Sequence, residues 1–151
     1  MHEAVLFVED VAHERVLGAL VTRLANERGI QLQLRHRSVR GGRSRLIREL
    51  RQYERDLRNG VERAPDMLVI ATDANCQGYS DRRAEVSAEQ APCPTVFAIP
   101  DPHIERWLLL DGHAFKNVLG RGCDAPDQKC DRDRYKHQLA QAVAATGVRW
   151  P

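Results

Sequence analysis

The sequence predicts an α/β protein: a parallel sheet of about four strands with helices on both faces, forming a single domain over residues 1–151. Three observations lead there. Two uninterrupted apolar runs, Ala4–Val8 and Met67–Ala71, have the composition of strands buried on both faces, as in parallel sheets. Strand-like and helix-like segments alternate along the chain, the pattern of right-handed βαβ crossovers. Three of the strand runs give way to acidic or amide residues: Glu9 and Asp10, then Asp73 and Asn75, then Asp101.

The elements follow in order. Residues 4 to 8 form the first strand. From Val11 to Arg28 the apolar positions Val16, Leu17, Leu20, Val21 and Leu24 recur at helical spacing, with Asp10 as N-cap and Gly29 as stop. Residues 30 to 36 alternate apolar and polar, as expected of a strand near the sheet edge, and Gly41-Gly42 opens a helix carrying Leu46, Leu50, Tyr53 and Leu57. Its other side holds arginines. Met67–Ala71 is the third strand, followed by a polar loop and a helix from about Ser80 to Gln90. Thr95–Ile99 is the fourth strand, and Pro100-Asp101-Pro102 breaks it before a short helix with Ile104, Trp107, Leu108 and Leu110. A C-terminal helical extension begins near residue 112. Within it, Gly120 to Lys129 forms a loop and Asp131 to Thr146, with Tyr135, Leu139 and Val143, a closing helix.

A chain of 151 residues has the length of one well-built core. No apolar run approaches the roughly 18 to 20 residues that a membrane helix needs, and the N-terminus lacks the features of a secretory signal. A cytoplasmic location is expected. The net charge of +2 is small, but nine arginines lie between Arg35 and Arg58 against only Glu49, Glu54 and Asp56. Guanidinium groups suit phosphate because they donate two parallel hydrogen bonds, so a polyanionic partner or a solvated helix face both account for the segment. Arg40, Arg43, Arg45 and Arg48 around the glycine-opened helix start are the candidate nucleic-acid contacts. Gly41-Gly42-Arg43-Ser44 lacks the spacing and lysine of a Walker motif, which removes an ATPase reading. Cys76, Cys93, Cys123 and Cys130 show no metal-finger spacing and are expected to be reduced thiols.

In an open parallel sheet, ligands bind outside the carboxyl ends of the strands. Glu9, Asp73 with Asn75, and Asp101 with Glu105 all fall there. Clustered carboxylates repel one another unless a hard divalent cation compensates them, which makes magnesium or manganese the natural cofactor. The structural alternatives are an N-cap for Asp10, Asx-turns for Asp73 and Asn75, a turn for Asp101 and a solvent-facing helix position for Glu105. His13 and Glu14, one turn into the first helix, face either water or the crevice.

Val8-Glu9 after the first strand, Asp73-x-Asn75 after the third, and Asp101-Pro102-x-x-Glu105-x-Trp107 with the Leu-Leu that follows together resemble the TOPRIM domain. The closest likeness is to small stand-alone bacterial proteins related to the nuclease part of overcoming-lysogenization-defect (OLD) proteins, and it covers nearly the whole chain. The resemblance implies a Rossmann-like TOPRIM fold and a magnesium- or manganese-dependent nuclease or phosphotransfer activity on DNA phosphodiesters. By position it makes Glu9 a metal ligand or general acid/base, and Asp73 and Asn75 magnesium ligands. Asp101 and Glu105 would complete a second metal position, as two-metal cleavage requires. A late lysine, Lys129 or Lys136, would neutralise charge developing on phosphate. Two departures stand out: His13 where relatives often carry an acid, and neutral Asn75 where the motif has aspartate. The likeness also implies a separately encoded partner ATPase of the ABC type, a role in phage defence or DNA repair, and leaves room for a homo-oligomer. Two other readings stay open. One is a non-catalytic nucleic-acid-binding or regulatory subunit on the same scaffold. The other is a receiver-like phosphoacceptor domain, which Leu6-Phe7-Val8-Glu9-Asp10 also resembles, with Asp73 as acceptor.

Overall fold

The computed structural model describes residues 1–87, 91–123 and 133–147. The chain divides into two compact units, Met1–Thr72 with Ser80–Ile99, and Asp73–Tyr79 with Pro100–Pro151.

The first unit contains the sheet. Strands β1 (His2–Val8), β2 (Leu32–Ser38), β3 (Met67–Ala71) and β4 (Thr95–Ala98) lie in the order β2-β1-β3-β4, all parallel. Central β1 carries the most apolar run because both of its faces are covered: Ala4, Val5, Leu6, Phe7 and Val8 are all buried, as are Leu68–Ala71 of β3. Edge strand β2 keeps the alternating pattern of a half-covered strand.

Register assigns the covering helices. Leu6 pairs with His36 and Phe7 with Arg37, so Leu6 and His36 share one face and Phe7 and Arg37 the other. Helix α1 (Val11–Glu27) covers the first face: a Cβ added at Gly18 would lie 3.0 Å from His36 Cε1, so glycine permits this close approach to β2. Helix α2 (Arg43–Arg58) covers the second face, where Tyr53 stacks on Phe7 with ring centroids 5.8 Å apart and Arg37 lies over the Tyr53 ring. Helix α3 (Tyr79–Val86) shares that side through Arg83, which lies over Phe97 of β4. Helices on both faces of a four-stranded parallel sheet make the fold Rossmann-like.

The local signals operate as the sequence implies. Asp10 caps α1, accepting from the His13 amide, and the helix ends at Gly29, whose φ of 66° suits a residue without a Cβ. The Ile30 amide bonds back to Ala25 O, which moves the start of β2 from the expected residue 30 to Leu32. Helix α3 stops at Val86, short of the expected Gln90, and residues 88–90 lie outside the described residues.

The second unit is helical: a 3-10 turn at Asn75–Gln77, then α4 (Ile104–Leu109), α5 (Gly112–Leu119) and α6 (Arg134–Ala144). Leu109, Phe115 and Tyr135 form its core, with Leu119, Leu139, Ala142 and Val143 packed against it. The break between α4 and α5 falls where the sequence places the start of its C-terminal helical extension, near residue 112. Asp111 makes it, accepting from the amides of His113 and Ala114 as a new N-cap. The closing helix runs from Arg134 rather than Asp131, which lies outside the described residues. No described helix is long and apolar enough to cross a membrane.

Candidate functional site

The strand order reverses between β1 and β3: the chain leaves β1 to build β2 on one side and returns to build β3 on the other. Such a switch point opens a crevice at the carboxyl ends of its two strands. In the first unit those ends present Glu9 and Thr72. The Glu9 amide donates to Ala71 O, continuing the β1–β3 ladder one step past the strands, and the Thr72 hydroxyl donates to Glu9 Oε2 at 2.5 Å. Thr72 is fully buried and Glu9 half-buried, so a rigid hydroxyl orients a carboxylate that water still reaches. Glu9 stands out in the sequence by its place after the first strand, whereas the role of Thr72 appears only once β3 lies beside β1.

Asp10 turns away from this task. Its Oδ1 accepts from the His13 amide at 3.0 Å and lies 2.9 Å from His13 Nδ1. The bond from His13 holds the Asp10 carboxyl down at about 2, against the opposing effect of partial burial. As a hydrogen bond to a carboxylate, the contact puts the ring proton on Nδ1. His13 is completely buried and forms part of the α1 anchor; Glu14 is half-buried.

In the second unit, Asp73 holds the start of α4. Its Oδ1 accepts from the Ile104 amide at 2.9 Å and its Oδ2 lies 3.1 Å from His103 Nδ1. His103 occupies the N-cap position of α4 without a capping bond of its own, so Asp73 acts as an external cap. The imidazole is buried and tilts against Tyr135, ring centroids 6.4 Å apart. Asn75 has φ 52°, and its amide nitrogen donates to Asp73 O at 3.5 Å. Backbone bonds from Ala74 to Pro100 O and from Asn75 to Pro102 O tie this turn to the segment before α4. In that segment the Asp101 carbonyl accepts from Arg106 Nη1, and Glu105 Oε2 is buried without a hydrogen-bond partner. His103, like Thr72, is not singled out by the sequence. A histidine directly after Asp101-Pro102 at a strand end was its only signal.

Among the described residues, no three His, Cys, Asp or Glu side chains are grouped to hold a metal ion. Magnesium is commonly held by one or two carboxylates together with substrate phosphates and water rather than by an all-protein cage, and ligating carboxylates are themselves hydrogen-bonded by neighbours. Glu9, oriented by Thr72, and Asp73, oriented by Ile104 and His103, fit that kind of ligand in donor chemistry. Asn75 adds an oxygen without charge. Lys129 and Cys130 lie outside the described residues, while Lys136 is exposed on α6, Cys76 is exposed, and Cys93 and Cys123 are half-buried. Burial, helped by the charge of Glu54, pushes the Cys93 thiol up.

The basic segment lies along α2 and the residues before it. Arg40, Arg43, Arg45 and Arg48 are all exposed; Arg43 pairs with Glu85 at 3.5 Å and Arg45 with Glu49 at 2.8 Å. Comparison with protein-family models, with curated proteins and with solved structures returns no match.

Proposed function

We propose that this chain is a TOPRIM-like domain that acts on nucleic-acid phosphodiesters with a divalent cation, magnesium or manganese. The observation that carries the reading is Glu9, set at the carboxyl end of β1 at the sheet's switch point and oriented by the Thr72 hydroxyl. In the first unit Glu9 is the residue assigned to an ion; in the second unit the candidates are Asp73, Asp101 and Glu105, with Asn75 as a neutral oxygen donor. Once bound, such an ion supplies charge stabilisation for the phosphate and lowers the pKa of bound water. The protein's own part is to hold its carboxylates ready: Thr72 does so for Glu9, and the Ile104 amide with His103 for Asp73. Arg40, Arg43, Arg45 and Arg48 are assigned to the nucleic-acid backbone, and a separately encoded ATPase remains the proposed partner.

A second reading has its own support. Both Asp73 oxygens serve the start of α4, and Asn75 brings no charge, an arrangement that also suits a nucleic-acid-binding or regulatory subunit with weak affinity for metal. Calorimetric titration with magnesium and manganese separates the two, run on the wild type, Glu9→Ala and Asp73→Asn and followed by plasmid nicking. Saturable binding and nicking that both variants lose support the metal-dependent enzyme. A folded wild type that neither binds metal nor nicks leaves the binding subunit.

A further inference from the structure

Helix α2 has three longitudinal stripes. Leu46, Leu50, Tyr53 and Leu57 are buried. Arg45, Glu49, Gln52 and Asp56 form a second stripe that is internally satisfied: Arg45 Nε bonds Glu49 Oε1 and Gln52 Nε2 bonds Asp56 Oδ1, each at 2.8 Å. The third stripe is Arg48, Arg51, Arg55 and Arg58, four arginines spaced three, four and three residues apart and therefore on one face. Arg48 and Arg55 are exposed and Arg51 is half-buried. Among the described residues no carboxylate pairs with Arg48, Arg51 or Arg55; the Arg55 guanidinium donates to the neutral Gln52 side chain. A helix whose arginines were merely a solvated face gains from carboxylates one turn away, as its own Arg45–Glu49 pair illustrates. Arg48, Arg51 and Arg55 forgo that gain, and so leave their positive charge facing solvent.

We propose that the Arg48–Arg51–Arg55 stripe of α2 is the surface that receives the phosphate backbone of a nucleic acid. The inference rests on the nucleic-acid reading above and moves the centre of contact along the helix, away from its glycine-opened start. Successive arginines lie about 4.5 to 6 Å apart along the helix axis. Three or four residues of rise thus bring a new guanidinium to a run of phosphates, each able to donate two parallel hydrogen bonds to phosphate oxygens. Contact of this kind is insensitive to base sequence and sensitive to salt.

The test is fluorescence anisotropy of a labelled random-sequence DNA duplex over a range of salt concentrations. Wild type is compared with the triple variant Arg48→Gln/Arg51→Gln/Arg55→Gln. A charge-matched control, Arg15→Gln/Arg23→Gln/Arg28→Gln, removes the same three charges from exposed positions on and just after α1, which covers the opposite sheet face. Circular dichroism confirms that both variants fold. The stripe variant is expected to lose at least tenfold in affinity at low salt, and its slope of log K against log salt to fall by about 2.7, some 0.9 for each phosphate contact removed. The control should keep the wild-type slope. Equal loss in both variants would reduce the effect to net charge and overturn the assignment, as would a stripe variant that binds like wild type. Poly-glutamate displacing the duplex at equal charge concentration would give the stripe to an acidic protein instead. Magnesium titration of the same preparations keeps the two readings apart: a stripe variant that loses DNA but binds metal as wild type does supports the surface. A wild type that binds metal but no DNA overturns the surface and leaves the metal site standing.

Discussion

Replacing Asp73 by alanine separates what this carboxylate does for the fold from what it is proposed to do for an ion. The substitution removes the acceptor of the Ile104 amide, one of the donors at the start of α4 that the helix itself cannot satisfy, and the partner of a buried imidazole. Losing a cap costs about 0.5 to 2 kcal/mol. Leaving the His103 ring nitrogen unsatisfied costs about 1 to 3 kcal/mol. Because both losses fall on one short segment and relax together, about 2 to 4 kcal/mol is the expected total. Asp73→Asn behaves differently, since its carbonyl oxygen still accepts from Ile104 and its amide donates to the other tautomer of His103. It should cost less than about 1 kcal/mol while lowering affinity for a divalent cation by removing the charge. Urea denaturation of the three proteins, with amide exchange at Ile104, measures the first effect and calorimetry the second. An alanine variant within about 0.5 kcal/mol of wild type, or an Ile104 amide no less protected, would refute the capping argument.

Asp10 links stability to pH: its folded pKa is depressed from 3.8 to about 2, so its contribution is present above pH 4 and lost as pH falls towards 2. The side chain is half exposed, which lowers the roughly 2.5 kcal/mol implied by the full shift to about 1 kcal/mol. Acid denaturation of Asp10→Asn, which keeps the cap, should show that part of the pH dependence flattened. At Gly112 a Cβ would meet the Cys123 carbonyl oxygen at 2.5 Å, so Gly112→Ala is expected to cost about 1 to 3 kcal/mol by thermal melting, against the usual preference of helices for alanine. Ile70→Ala should cost about 2 to 5 kcal/mol in urea, since Ile70 is fully buried in β3 between Phe7 and Phe97 of the neighbouring strands. Thr72→Val retains volume but frees the Glu9 carboxylate. If the Glu9 reading is right, metal affinity measured by calorimetry should fall with little change in melting temperature.

The sheet was legible because the information for it is local. Ala4–Val8 and Met67–Ala71 have no polar position with which to face water, so burial on both faces and a parallel sheet follow from composition, and period-3.6 spacing placed α1 and α2. The same local chemistry marked Asp10 as a cap and Gly29 as a stop. Boundaries moved where a backbone bond decided them, as when Ile30 closed the end of α1 instead of opening β2.

Side-chain partnership was beyond the sequence for a different reason. Thr72 meets Glu9 across 63 positions, His103 meets Asp73 across 30, and Arg43 meets Glu85 from another helix. No period or motif encodes such pairs, because each depends on which strand lies beside which and on the register between them. By itself the sequence determined the hydrophobic pattern, hence the strands, the helices and the acidic residues at the strand ends. Only the tertiary structure decided which of those acids orient toward neighbours that hold them, because a carboxylate's hydrogen bonds are short, directional and made with residues distant in the chain.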